Sequence, residues 1–297
     1  MKADHLIEIV NKTHPDITIS DVKFKTNGWD NDIIILNNEV VFRFPKSEGV
    51  ASKVKDEMNL TRQLALKNPL LQIPRYEPVF LHGEFKGVKY EYLNGETVSD
   101  SDHNYLLNQQ NANLLGDFLT KLHSIDLSML RGTNIVTVHT QEYWEDLYHS
   151  VVKYIFPNLK IPQRVDIQNL FENFLNSSTF STYNKVLIHG DLTTSNMLFQ
   201  KEKQLVSGII DFTDAQVGDP AFDFAGFYWS FGPDFTREVV SHYQTEDSES
   251  IFKRVQCFYG LQPIFHNLLY AVRENQLVNW DTALDRFAYL YALKDKK

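Results

Sequence analysis

The chain has 297 residues, enough for one large domain or for two lobes with separate cores. Its apolar content of 43% and charged content of 23% are those of an ordinary globular protein. A net charge of −9 and a pI near 5.6 argue against a nucleic-acid partner, which needs a basic surface, and mildly favour a cationic one through steering, although acidity serves solubility equally well.

The one cysteine, Cys257, excludes an intrachain disulfide and a cysteine-built metal site, and fits a reducing cytoplasm. The opening MKADHLIEIVNKTHPD is broken by charges and a proline, so it does not read as a signal peptide. The apolar stretch GLQPIFHNLLYAV is too short and too interrupted to cross a bilayer.

A helix is expected first, ending before Pro15, and then strands in VKFKT, NDIIIL and EVVFRF. Asn37-Asn38 joins the last two, because asparagine tolerates the positive φ of a tight hairpin. Residues 50–67 place Val54, Met58, Thr61 and Ala65 on one helical face, with Glu57 beside them. PVFLHG and GVKYEYL read as two further strands around a turn at Gly83 to Gly87.

Past Asn94-Gly95 the pattern becomes helical. One helix carries a stripe of Leu107, Leu114, Phe118 and Leu122, the next carries Trp144, Tyr148 and Val151, and DIQNLFENFL is a third. Short strands return in KVLIHGD, NMLFQ and LVSGIIDF. Asp219-Pro220 then opens a helical C-terminus, with Asp234 as a second N-cap candidate. These elements give an α+β, two-lobed chain, with residues 1–94 strand-rich and residues 95–297 mainly helical around an embedded β-hairpin region. A cleft between two lobes is a common ligand site.

VLIHGDLTTSNMLF, residues 186–199, carries the chemistry. Asp191 and Asn196 lie five residues apart between apolar strands, and Asp211 follows GII fifteen residues later. Three oxygen-bearing side chains pinned at strand ends suit Mg²⁺, which prefers hard oxygen ligands and keeps several waters. One carboxylate is then left to meet a substrate hydroxyl. An aspartate, four residues, an asparagine, and a later aspartate after an apolar strand is the kinase arrangement.

LIHGDLTTSNMLF followed by GIIDFTDAQVGDPAFD resembles the aminoglycoside phosphotransferase family, a protein-kinase-like group with macrolide and choline kinases among its members. VVFRFPKS, DEMNL, YEYLNGE and FLTKLHSI extend the resemblance over nearly the whole chain, closest in feel to the aminoglycoside 2″-phosphotransferases. It implies a small antiparallel-sheet lobe with one helix, a larger helical lobe, Mg²⁺ as cofactor, and ATP or GTP as phosphate donor. Asp191 would be the catalytic base, and Asn196 and Asp211 would hold the metal. Arg43 would reach the α/β-phosphates with Glu57 orienting it, and the main chain of Glu91, Tyr92 and Leu93 would hydrogen-bond the purine.

Three departures stand out. Arg43 occupies the usual lysine position and offers a planar fork in place of a point charge. The nucleotide loop TNGWDND holds one glycine, Gly28, so phosphate cover falls to few amides and to Asn27 or Asn31. Thr213 replaces the glycine of the metal-binding DFG.

His189 reads as a loop brace rather than a catalyst, Asp219 as a helix cap, and Asp223 as a buried brace for the catalytic loop. Acceptor-site candidates are Tyr228, Trp229, Asp234, Glu238 and Tyr270, with Glu142, Glu145, Asp146, His266 and Trp280 beside them. Each of these serves equally well as surface charge or core aromatic. The expected acceptor is an aminoglycoside hydroxyl. FYWSFGPDF, where that family's 2″-kinases carry acids, keeps a macrolide or another sugar or amino-alcohol open. A nucleotide-binding pseudokinase is the reading from another class. The chain is expected to act in the cytoplasm as a monomer, without nucleic acid or membrane.

Overall fold

The structure, a computed structural model, describes residues 3–25, 30–99, 102–177 and 183–294. Helix α1 (Ala3–Thr13) buries Leu6, Ile9 and Val10 against one face of a five-stranded antiparallel sheet. The sheet comprises β1 (Val22–Lys25), β2 (Asn31–Leu36), β3 (Val40–Pro45), β4 (Glu77–Leu81) and β5 (Glu84–Glu91), in the order β1-β2-β3-β5-β4. Asn37 and Asn38 turn at φ 55° and 54°, as the hairpin between β2 and β3 requires. Alternation along β3 sends Phe42 and Phe44 into the core under α1, and the buried Arg43 to the opposite face.

Helix α2 (Glu48–Leu66) packs on that opposite face. Ser47 caps it by accepting from the Val50 N–H at 3.3 Å, and its buried side includes Val54, Glu57, Leu60, Thr61 and Leu64. The β4–β5 turn is tighter than expected: His82 and Gly83 make it, at φ 53° and 82°. Gly87 instead lies within β5, where a Cβ would stand 2.2 Å from the Arg43 carbonyl oxygen.

The second lobe follows β6 (Glu96–Thr97), with α3 (His103–Leu106), α4 (Gln109–His123), α5 (Gln141–Tyr154) and α6 (Ile161–Leu175). The α4 stripe differs from the expected one. Leu107 is exposed before the helix starts, and Ala112, Leu115, Phe118, Leu119 and Leu122 form the buried face, because Asn108 caps the helix one residue later.

The expected hairpin around Asp191 is not a hairpin. β7 (Val186–Ile188) pairs with β10 (Gln216–Gly218), whereas β8 (Met197–Gln200) pairs with β9 (Leu205–Ile209) and β6. Gly190 at φ 81° and a 3-10 turn over Thr194–Asn196 redirect the chain between β7 and β8, so the loop bridges two small sheets.

Beyond β10 the chain is helical: a 3-10 turn over Pro220–Phe224, then α7 (Ala225–Phe231), α8 (Pro233–Ser241), α9 (Ser248–Arg254), a π-helical turn over Val255–Tyr259, α10 (Pro263–Arg273) and α11 (Asp285–Leu293). Asp219 caps the first turn through the Ala221 N–H and also forms a buried ion pair with Arg254, at 2.7 and 2.9 Å. Asp234 is not the cap of α8. Gly232 and Pro233 start that helix, and Asp234 lies in its first turn, where a negative charge suits the dipole.

Gly226 on α7 presses against the Asp191 loop, and a Cβ there would lie 2.2 Å from the Leu192 carbonyl oxygen. Gly→Ala inside a helix normally stabilises by up to ~1 kcal/mol. Gly226→Ala is expected to do the reverse, destabilising by about 1–3 kcal/mol through overpacking. Thermal unfolding checks this, and a raised Tm would contradict the contact.

Candidate active site

Glu57, 1% exposed, is the junction of the site. Its carboxylate accepts from Arg43 Nη1 at 2.8 Å, from the Tyr76 hydroxyl at 2.6 Å and from the Phe212 backbone N–H at 3.0 Å. One side chain on α2 thus fixes an arginine on β3, a phenol just before β4 and the segment after β9. Arg43 continues the network through Nη2, which donates to Thr213 Oγ1 at 2.7 Å and reaches Asp211 Oδ1 at 3.5 Å. Burial works against the Arg43 charge, and the charges of Glu57 and Asp211 outweigh it and raise its pKa. Asn31, with its amide oriented to satisfy its neighbours, accepts from Arg43 Nε and Nη2 at 3.0 and 3.1 Å. Asn31 therefore supports Arg43 from below instead of covering a phosphate. Asn27 and Gly28 lie outside the described residues.

Asp211 sits at φ 63°, and its half-exposed carboxylate accepts from the Thr213 hydroxyl at 2.5 Å. Thr213 thus does more than replace a glycine: it links Asp211 to Arg43.

The Asp191 loop is held from beneath. Asp223 is buried and accepts from the backbone N–H of His189 at 2.7 Å and of Gly190 at 3.0 Å. Burial acts to raise the Asp223 pKa, and the bond to His123 at 3.1 Å with the His189 contacts outweighs it, so the carboxylate stays ionised. His123, at the end of α4, is anchored by the Tyr243 hydroxyl at 3.0 Å. His189 accepts at Nδ1 from the Asp191 N–H (3.3 Å) and meets the Ile210 carbonyl at Nε2 (3.2 Å), which joins the loop to β9.

Asn196 Nδ2 donates to both the main-chain carbonyl and the carboxylate of Asp191, each at 2.8 Å. That commits the amide nitrogen and leaves Asn196 Oδ1 to act as an acceptor. Burial raises the Asp191 pKa above the usual carboxylate value, and the negative charges of Asp214 and Asp211 add to the shift. Among the described residues no cluster of three or more His, Cys, Asp or Glu could hold a metal. One carboxylate and one amide oxygen, from Asp211 and Asn196, nevertheless fit Mg²⁺, which takes few protein ligands and completes its shell with water and phosphate.

A cavity of about 890 Å³ opens over Asp191. Gly190, Asp191, Thr213, Asp214 and Glu57 line it, together with Trp229, Gln262, His266, Asn267 and Arg286. Val136, Val138, His139, Tyr143 and Phe222 form its side. Of the candidate acceptor residues only Trp229 and His266 reach it. Tyr228 is fully buried, with its ring packed on Gly260, because the helical turn that presents Trp229 points the preceding residue inward. Asp234 and Glu238 lie on α8, where Glu238 pairs with His242 at 3.3 Å, and Tyr270 is exposed on α10. Glu142, Glu145, Asp146 and Trp280 do not line the cavity either.

In the segment Glu91 to Leu93, the Tyr92 N–H donates to the Glu39 carbonyl at 2.7 Å, so β5 remains tied to the β2–β3 hairpin one residue past its end. The sequence pattern missed Tyr76, His139, Gln216 and Arg286. Gln216 lies in the quoted GIIDFTDAQVGDPAFD run without a role being read for it, the other three lie in no motif, and each is brought in by a long-range contact. Tyr76→Phe removes one of the three donors to Glu57. It is expected to cost about 1–3 kcal/mol of stability, as loss of a buried hydrogen bond to a charged group does, with the Phe212 N–H still satisfying the same oxygen, and to raise the KM for nucleotide. Urea unfolding together with a nucleotide titration checks both, and unchanged values in the two would remove Tyr76 from the network.

The fold has counterparts among known proteins. The GDP complex of wild-type aminoglycoside 2'-phosphotransferase-IIIa has a TM-score of 0.82 at 23% identity, covering 98% of this chain and 99% of that one. Macrolide 2'-phosphotransferase MphH from Brachybacterium faecium has a TM-score of 0.67 at 17% identity, covering 99% and 98%. At these identities the likeness is one of fold, and it is the expected two-lobed α+β fold. A stretch of 129 residues is 25% identical to uncharacterized protein YcbJ of Bacillus subtilis (strain 168), spanning 43% of this chain and 41% of that protein. No helix among the described residues is long and apolar enough to cross a membrane. The phosphotransferase enzyme family (APH) matches residues 21–256, four-fifths of the chain, and the protein belongs to that family.

Proposed function

We propose that the protein transfers the γ-phosphate of ATP or GTP to a hydroxyl of a small molecule, with Asp191 as the base. The supporting observation is the Asn196 amide, which bonds Asp191 through both carboxylate and main chain and so makes base and metal ligand one rigid unit. Asn196 and Asp211 hold Mg²⁺, which when bound neutralises phosphate charge. Arg43, fixed by Glu57 on one nitrogen and held by Thr213 and Asn31 on the other, places its positive charge beside Asp211 for the α/β-phosphates. With the Tyr92 N–H engaged, Glu91 and Leu93 are the main-chain groups left to meet the purine. Residues 1–94 form the nucleotide lobe, and residues 95–297 carry the base and the acceptor site.

In the reaction one Asp191 oxygen keeps the Asn196 bond and the other accepts the proton of the attacking hydroxyl. Such transfers depend on positioning and charge neutralisation more than on covalent steps. The intact set of Asp191, Asn196 and Asp211 favours an enzyme over a pseudokinase.

The acceptor lies in the cavity over Asp191. Structurally similar proteins include one solved with kanamycin and one that is a macrolide 2'-phosphotransferase. A polycationic aminoglycoside calls for carboxylates around its ammonium groups. The acids lining this cavity are Asp56, Glu57, Asp191 and Asp214, and the first three are engaged by Asn134, Arg43 and Asn196. Trp229, Phe222, Tyr143, Val136 and Val138 instead offer wall for a large apolar body, which supports a macrolide-like acceptor over the aminoglycoside expected from resemblance. Nucleoside-diphosphate release with ATP and with GTP, against panels of aminoglycosides and macrolides, separates the two.

Asp191→Ala is expected to lower turnover by roughly 10² or more, the usual worth of a positioned base, while nucleotide still binds. Undiminished turnover would sink the assignment. Asp191 acts when ionised and its pKa is raised, so kcat/KM is expected to fall on the acid side at a higher pH than for an ordinary carboxylate. Asp214→Asn removes one of the charges that raise it, so the acid limb should move to lower pH. A limb that stays in place or moves upward would show that Asp191 does not set it.

A further inference from the structure

The wall of the acceptor cavity built from α7, α10 and α11 has an unusual charge pattern. Trp229, Ser230, Gln262, Pro263, His266, Asn267 and Arg286 contribute no carboxylate, and they include one full cation. Arg286 is half-buried and takes part in no ion pair among the described residues. Its Nε and Nη2 donate to the Trp229 carbonyl at 3.0 and 2.8 Å, and Nη2 also reaches the Ser230 carbonyl at 3.3 Å. These carbonyls end α7, where the helix dipole favours a cation. The fork is therefore held in one orientation by main-chain atoms, and Nη1 is left without a protein partner among the described residues. The other charged cavity residues behave differently: Asp56 bonds Asn134, Glu57 bonds Arg43, Asp191 bonds Asn196, and Lys53 stands 4.0 Å from Asp214.

Arg286 has neutral or repelling neighbours. Burial lowers the pKa of His266, with the charge of Arg273 adding to it. Burial likewise takes His139 down to about 4, so both imidazoles are neutral near pH 7. Burial also pulls the Arg286 pKa down, with only the phenols Tyr289 and Tyr228 acting to restore it. A guanidinium that bridged two helices for stability alone would gain from a carboxylate in this place. Among the described residues none is supplied, and the Nη1 edge has no hydrogen-bond partner there in a residue that lines the cavity.

We infer that Arg286 is an acceptor-binding residue that pairs with an oxyanion of the substrate, a carboxylate or a phosphate, within the cavity that Asp191 also lines. The inference rests on the phosphotransfer reading and specifies its substrate: a hydroxylated molecule with an apolar body and a negative group. A planar fork held from behind by carbonyls is well shaped for a bidentate oxyanion. An acceptor of this charge is repelled by neither the α10–α11 wall nor the neutral imidazoles. A polyamine placed there meets a cation and no anion.

The test uses the full chain and matched aryl glycosides: one bearing a carboxylate, its methyl ester, one bearing a phosphate, and its unphosphorylated parent, with kanamycin as the polycation. Asp191-dependent nucleotide turnover in the absence of acceptor reports the phosphotransfer reading on its own. The expected result is that wild-type kcat/KM favours the carboxylated or the phosphorylated glycoside over its uncharged partner by about tenfold or more. The preferred member of the two identifies the oxyanion. In Arg286→Gln that ratio should collapse towards one, a change that a purely structural loss would not produce because it lowers both members of a pair alike. Arg286→Glu should invert the ratio. Equal use of charged and uncharged partners, a ratio that survives Arg286→Gln, or stimulation by kanamycin alone would overturn the assignment. So would the absence of any response across the panel while Asp191-dependent turnover persists. Loss of that turnover itself would instead count against the phosphotransfer reading.

Discussion

The site depends on burying the Glu57 carboxylate. A charge taken out of water at this depth is tolerated only if its oxygens are satisfied, and Arg43, Tyr76 and the Phe212 N–H satisfy them. Each donor comes from a different part of the chain, so satisfying one carboxylate fixes β3, the approach to β4 and the segment after β9 relative to α2. Breaking such a pair by removing one partner costs about 3–5 kcal/mol, more than its net worth when intact. The cluster therefore acts less as a source of stability than as a constraint on geometry. It holds Asp211 near Arg43 at a positive φ that an isolated aspartate rarely adopts.

A second buried acid does the same for the other half of the site. Asp223 gathers two consecutive amides at the turn after β7, and His123 and Tyr243 gather Asp223. Gly226 lets α7 approach the same loop to within a backbone contact. The loop is thus clamped by a carboxylate below and a helix beside it. Asp191, at its tip, stays rigid without being paired to a cation. That combination permits a raised pKa in a group that must still ionise to work.

Much of this was legible in the sequence, for a physical reason. The strands, α2 and the Asp191–Asn196–Asp211 spacing are local patterns, set by period and by turn chemistry over a few residues. The α+β fold and the bracing roles expected of His189 and Asp223 came from those patterns together with the family resemblance. Pairing between distant segments was not legible. VLI and MLF read as one hairpin because they are adjacent and apolar, but β7 finds its partner in β10, which periodicity cannot reveal. The acceptor residues failed in the same way. Tyr228 and Trp229 are neighbours with similar side chains, and only the packing of Tyr228 on Gly260 decides that one is core and the other lines the cavity. Arg286, far along the chain and in no motif, had no local signal at all.

Charge read over the whole chain and charge read at the cavity favour different acceptors. A net charge of −9 favours a cationic partner at a distance, and composition alone pointed that way. Within contact range the summed field matters less than the few groups that face the ligand, because burial and pairing remove the rest. Here most of the cavity's acids are already engaged by protein partners. The remaining wall is aromatic, neutral and, at Arg286, positive. A phosphotransferase must already crowd negative phosphates against a carboxylate base. In the proposed reading, Arg286 gives an anionic acceptor a fixed point of attachment in the same cavity as Asp191, so that local charge and not the summed field selects the acceptor.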